Sequence, residues 1–178
     1  MKSKILILLV ICLATGSCVK EKLETFYSKQ DTQIDAYMTK ARVSGKDTLD
    51  LVYNKGSVRL IKTEGSGPAL EEGGSVSFYY AGYVFTSNPS SLFATNHQET
   101  AAGAGFNLTD DEYQIFEADM RSTHLLEGVR NGLIGVKSGE VCEIAFSGKY
   151  GFGDEVFGTI PVNSALLYKI WVIGVSNE

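Results

Sequence analysis

The chain is poor in the residues that most catalytic and metal sites need. Among 178 residues there are only two histidines and three cysteines. His97 and His124 stand apart, with no H-x-x-H or H-E-x-x-H pair and no Cys/His cluster. A metal site is therefore not expected, and neither is any cofactor. Ser90, Ser91 and His97 do not form a nucleophile motif. Asp110-Asp111-Glu112 is a short acidic run of the kind more often solvated than calcium-binding. The glycine-rich segments lack the Lys-Ser/Thr that follows a phosphate loop. The longest apolar run, Ile5 to Leu13, falls well short of the roughly 20 residues that span a bilayer.

That short run has another meaning. Lys2 and Lys4 precede it, and Ala14 to Ser17 lead from it to Cys18. This is the layout of a secretory signal. The Cys after Thr15-Gly16-Ser17 looks like a bacterial lipoprotein cleavage site, although Leu is usual where Thr15 stands. Residues 1–17 are thus expected to be a lipoprotein signal peptide, with Cys18 lipidated and the chain held to the membrane through that anchor. Ordinary secretory cleavage nearby, leaving Cys18 as a plain thiol, is the alternative. The charged stretch Val19 to Glu24 resembles the tails that send some Bacteroidetes-type lipoproteins to the cell surface. The expected location is the cell envelope, on the periplasmic or surface face of the outer membrane.

Without residues 1–17 the chain keeps 14 basic against 21 acidic residues, a formal charge of −7. No clustered basic face is in sight, so nucleic acid is not an expected partner. Cys12 leaves with the signal and Cys18 is taken by lipid. Only Cys142 is left, so no internal disulfide is expected despite an oxidising compartment. It alternates with Ile144 and Phe146, as a buried core thiol would.

Residues 18–55 read as an N-terminal extension. Ile34, Tyr37, Met38 and Ala41 recur at helical spacing. Ser28 or Asp31 is a candidate cap, and Ser44-Gly45 a candidate exit. The helix is short and polar, so it is expected to pack on the domain as a spacer and not to dimerise; a monomer is expected. Residues 56–178 read as one domain. Leu49, Leu51 and Tyr53, then Asn54-Lys55-Gly56, then Val58 to Ile61 give a hairpin that begins in the extension. Val76 to Tyr80 is a strand with Val76, Phe78 and Tyr80 on one face, and it continues past Gly82 to Phe85. Asn88 to Ser91 reads as a turn, and the following residues to 115 as a long loop. A short helix lies between Gly128 and Gly135. Strands follow at Val141 to Phe146 and Leu166 to Ile173. The fold class is α+β, an antiparallel sheet wrapped around one short helix.

Several motifs follow in order over residues 56–174. Val76 leads to Tyr80-Ala-Gly82, then come Phe93-Ala94-Thr95-Asn96 and Leu125-Leu126-Glu127-Gly128. After these stand Gly132 to Gly139-Glu140, Tyr150-Gly-Phe152-Gly153 and Ile160-Pro161 to Leu166. Together they resemble the FKBP-type peptidyl-prolyl cis-trans isomerases. That resemblance implies a proline pocket with Tyr80, Phe93, Leu126, Phe152 and Tyr168 as catalytic positions and Phe116, Leu125, Val129 and Ile160 as substrate-binding ones. Phe116 is placed by counting back from Leu125. It also implies proline-containing polypeptide clients and a reaction without metal, cofactor or nucleophile. The activity implied is isomerisation of X-Pro bonds in envelope or secreted proteins. The alternative is a non-catalytic binding or chaperone module on the same fold.

The sequence departs from the family pattern at three pocket positions. Ala94 stands for an aspartate, Phe152 for a tyrosine, and Val129 where Trp or Leu is common. These changes keep an apolar cup but remove polar anchors, which implies weak to moderate activity and poor binding of macrolide inhibitors. Residues 97–115 exceed the family's short connection and read as an inserted loop beside the pocket.

Overall fold

The computed structural model describes residues 2–43, 50–121 and 124–178, with side chains from Val19 onward. Seven strands form one antiparallel sheet: β1 (Leu51–Asn54), β2 (Ser57–Thr63), β3 (Ser75–Phe85), β4 (Pro89–Thr95), β5 (Phe116–Asp119), β6 (Val141–Phe146) and β7 (Ala165–Ser176). The order is β1-β2-β6-β7-β3-β4, and β5 shares the outer edge of β3 with β4. The helices are α1 (Lys2–Arg42), α2 (Gln98–Ala104) and α3 (Glu127–Leu133). This is the expected FKBP-like arrangement, a sheet around a short helix with an added N-terminal helix.

The expected β1–β2 hairpin is present. Lys55 and Gly56 both take positive φ, the two-residue turn whose twist suits the flanking strands. Alternation along β3, β6 and β7 puts Phe78, Ile144, Phe146, Leu166 and Ile170 on one face with Val129 and Leu133 of α3, where they form the main core. Two glycines one turn apart let α3 lie close. A Cβ on Gly128 would fall 2.2 Å from the Phe146 ring, and one on Gly132 would fall 2.2 Å from Ile144 Cγ2. Arg59 holds the other end of α3. Its buried guanidinium donates to Gly132 O at 2.8 Å and Ile134 O at 2.7 Å, a cation on carbonyls that the helix leaves unpaired. Glu140 stands 3.3 Å from Arg59 Nε. Its burial pushes the carboxyl above the usual range even though Arg59 pulls it down.

The opposite face of the sheet is covered by α1. Ile34 and Met38 pack on Leu60, Phe85, Ala145 and Leu167, with Tyr37 and Ala41 beside them, as the helical spacing predicts. Polar contacts fix the helix further along. Gln30 donates to Asn163 O at 2.8 Å and accepts from Gly148 N at 2.9 Å, and Tyr27 donates to Asn163 Oδ1.

Three expectations change. The helix does not begin at Ser28 or Asp31 but runs unbroken from Lys2. Between Val19 and Gln33 there is no Gly or Pro to stop it, and Thr25 and Thr32 turn their hydroxyls back onto the carbonyls four residues earlier. The signal segment and Cys18 fall where side chains lie outside the description, and Ser44-Gly45 lies outside the described residues. Second, the turn precedes Pro89, and residues 89–95 are a strand in which proline is tolerated because it sits on the sheet edge. Third, the segment 97–115 is not a plain loop. His97 caps α2 by accepting from Thr100 N, Gly105 closes it in the left-handed conformation, and a 3-10 turn follows at Asp110–Tyr113. Among the described residues no helix is long and apolar enough to cross a membrane.

If α1 is an integral layer, Met38→Ala lowers unfolding stability by about 2–5 kcal/mol, the usual cost of truncating a buried Met. Urea titration checks this; a loss below about 0.5 kcal/mol would mean that the helix sits on a domain stable without it.

Candidate active site

The inward row of β3 carries Val76, Phe78, Tyr80 and Val84, and Gly82 within it makes room beside Tyr80. A Cβ on Gly82 would lie 2.7 Å from Phe93 Cζ and 3.0 Å from Tyr168 Cε1. The glycine thus lets a ring from β4 and a ring from β7 meet over the strand. Their centroids are 5.8 Å apart at 82°, an edge-to-face contact. Phe93 also meets Phe152 edge-on at 6.4 Å, and Tyr80 meets Phe116 at 6.1 Å and 85°. Below them Tyr168 stacks on the buried Phe146, and Phe78 packs against Phe116.

These rings enclose an open cleft of about 320 Å³. Val129 and Phe78, both buried, form its floor, and Leu125 and Leu126 enter from the start of α3. Leu126 is the residue at which α3 begins, so its N–H is not claimed by an intrahelical bond. The cleft wall contains no Lys, Arg, Asp or Glu among the described residues; its polar side chains are Tyr80, Tyr168 and the exposed His124. Burial pushes both phenols above the ordinary value near 10, most strongly at Tyr168. They therefore stay neutral at physiological pH.

Of the residues picked from sequence, Tyr80, Phe93, Phe116, Leu125, Leu126, Val129, Phe152 and Tyr168 all line this cleft, as does Ala94. Ile160 does not. It is buried in the core, and its N–H donates to Phe157 O at 3.0 Å. That bond closes the turn that presents Phe157, stacked on Phe152 at 4.4 Å and 8°, as one wall of the cleft. Sequence reasoning missed Phe157 and Phe78. Phe78 was visible on the inward row of β3, but nothing marked Phe157 within its loop. Residues 97–115 do not line the cleft either. His97 stacks on Trp171 at 3.9 Å, and with Tyr79 and Tyr113 these rings line a groove on the outward row of the sheet. Phe116, just beyond the end of the segment, does line it.

An apolar cup of rings at the start of a buried helix suits a ligand recognised by shape and desolvation rather than by charge. The family model described as FKBP-type peptidyl-prolyl cis-trans isomerase matches residues 67–173. The chain belongs to this family. It is 24% identical over 122 residues to FK506-binding protein 1 of Aspergillus oryzae, an alignment covering 68% of this chain and 99% of that one. Among solved structures, the N-terminal domain of FKBP42 from Arabidopsis thaliana is similar with a TM-score of 0.58 at 20% identity, over 76% of this chain and 99% of that one. FkpA from Escherichia coli is similar with a TM-score of 0.57 at 16% identity, over 95% of this chain and 70% of that one. At these identities the solved structures speak to the fold alone.

The close approach at Gly82 is testable. Gly82→Ala pushes Phe93 and Tyr168 apart, at a cost of about 1–3 kcal/mol for overpacking. Wild-type stability on urea titration would mean that the two rings are not in contact over the strand.

Proposed function

We propose that this chain catalyses cis-trans isomerisation of X-Pro bonds in envelope or secreted proteins. The observation that carries the proposal is the cup itself, lined by seven phenylalanine and tyrosine rings with no Lys, Arg, Asp or Glu in the described wall. Resonance gives the amide C–N bond its double-bond character and a rotation barrier of about 18–20 kcal/mol. X-Pro isomers are close in energy yet exchange over tens to hundreds of seconds. A twisted amide loses resonance and with it part of the carbonyl dipole. Water stabilises the planar, more polar form, whereas an apolar wall does not. The cup therefore favours the twisted state over the ground state, which is catalysis by differential binding. Tyr80, Phe93, Phe152 and Tyr168 grip the pyrrolidine ring, and the Leu126 N–H donates to a neighbouring substrate carbonyl. No proton has to be moved.

Ala94 and Phe152 leave the cup without the aspartate and the phenol that the family often places there, which fits weak to moderate activity. The short charged and apolar leader ending at Cys18 supports a bacterial lipoprotein anchored in the envelope, with secreted proteins in slow proline-limited folding as its clients. These proposals about location rest on the sequence pattern of residues 1–18.

A protease-coupled assay on a short X-Pro peptide tests the activity. Acceleration by the wild type and a fall of at least about tenfold in kcat/KM for Phe93→Ala, with circular dichroism unchanged, are the expected results. A folded wild type without acceleration would leave a binding module on this fold. The pH profile is a second check. Because burial holds both phenols neutral above their ordinary range, kcat/KM shows no decline with a midpoint at the ordinary phenol value near 10. A decline centred near pH 10 would mean that one of them titrates as if exposed.

A further inference from the structure

The outer edge of β3 is shared by two short strands. β4 pairs with it from Ala81 to Phe85, and β5 from Ser75 to Phe78. Between them the backbone of Tyr80 faces a gap in the ladder. A buried edge cannot leave a peptide group unpaired without cost. Asn96 fills the gap. Its Oδ1 accepts from Tyr80 N at 2.6 Å, and its own N–H donates to Tyr80 O at 3.2 Å, where Thr95 Oγ1 also donates at 2.7 Å. Its Nδ2 donates to Gln114 O at 2.9 Å, two residues before Phe116. The residue is buried, with 5% of its surface exposed. One amide group thus ties the strand carrying Tyr80 to the segment carrying Phe116, and those two rings meet edge to face in the wall of the cup. Asn96 itself does not line the cleft.

We infer that Asn96 is a positioning residue for the proline cup, setting the spacing of Tyr80 and Phe116 and coupling the segment 97–115 to the cleft. The inference rests on the isomerase reading of that cleft. Tyr80 and Phe116 together form one stretch of wall against the bound proline, whose pyrrolidine ring is alike in the planar and twisted amide. Loss of their spacing weakens ground state and transition state together, so it appears in KM and not in kcat.

The amide has two separable halves, and so does the test. In the full chain, Asn96→Ala removes both side-chain bonds. Asn96→Asp keeps an acceptor for Tyr80 N but has no donor for Gln114 O. Steady-state kinetics on an X-Pro peptide and amide hydrogen exchange are measured for both. Asn96→Ala is expected to raise KM about tenfold with kcat within about twofold, and to speed exchange at Tyr80 and in β5 together. Asn96→Asp is expected to raise KM less, keep Tyr80 protected and speed exchange in β5 alone. Wild-type KM in Asn96→Ala overturns the inference. So does a uniform loss of protection across all strands, since that is the mark of a merely structural residue. A wild type without isomerase activity sinks the isomerase reading alone. The latch is then judged by exchange in Asn96→Asp, where Tyr80 and β5 moving together overturns it.

Discussion

A helix of seven residues does not hold together in water, because too few bonds follow its costly first turn. α3 exists only because the sheet closes on it, and the rest of the site depends on that closure. Gly128 and Gly132 remove the side chains that would hold it off β6, and Arg59 supplies donors for the carbonyls at its end. Ser57 donates to Gly128 O at 2.7 Å, Asn54 Nδ2 donates to Asn131 O at 2.9 Å, and Asn131 Nδ2 donates to Lys55 O in the hairpin turn at 2.9 Å. These contacts come from β1 and β2, at the far edge of the sheet from β4. The position of Leu125, Leu126 and Val129 in the cup is therefore set by strands that never touch it.

The second layer reaches the cup by another route. α1 covers the sheet's outer face, but the hydrogen bonds of the Tyr27 and Gln30 side chains go elsewhere. They fasten Asn163 and Gly148. Those residues bracket the loop that carries Phe152 and Phe157. Three cup elements are thus held from three directions: α3 from the hairpin, the Phe152 loop from α1, and Phe116 from Asn96. A cleft lined by rings would collapse on itself if its walls were free to move, because every ring gains by leaving water. Tethering each wall to a different part of the fold keeps it open.

Much of this was legible in the sequence, for identifiable reasons. β3, β6 and β7 each carry an apolar row at every second residue because that row meets the core around α3, even where α1 buries the other face of β6 and β7. The turn at Lys55-Gly56 has a distinctive chemistry, and Ile34, Tyr37, Met38 and Ala41 keep a strict helical period. The alternation put Tyr80 and Tyr168 on inward rows, and the family resemblance implied their place in a cup. What was hidden lies at the edges. β4 and β5 are short and half-exposed, so no alternation marks them. α2 is capped by a histidine and is nearly all small or polar residues, and its one buried side chain is Ala101. Asn96 was quoted as part of a motif, but its role depends on a gap between strands that only the topology creates. Phe157 carries no sequence signal because it packs on another loop residue instead of the core.

The polar groups near the cup show why its wall is apolar. Arg59, Glu140, Ser57 and Asn96 are all buried or nearly so, and three of the four spend their donors on backbone carbonyls. A buried polar group left unpaired costs roughly 1–3 kcal/mol, so each is held where it bonds and cannot turn toward the cleft. The exposed His124 at the wall and the phenols of Tyr80 and Tyr168 are the exceptions, and burial keeps the phenols neutral. The fold therefore uses its polar side chains as fasteners behind the walls and leaves only rings and aliphatic groups to meet a ligand. A cup built this way offers little to a charged or strongly polar ligand. It favours an apolar ring joined to a bond that loses polarity as it turns, which is the property of the X-Pro amide on which the proposed activity relies.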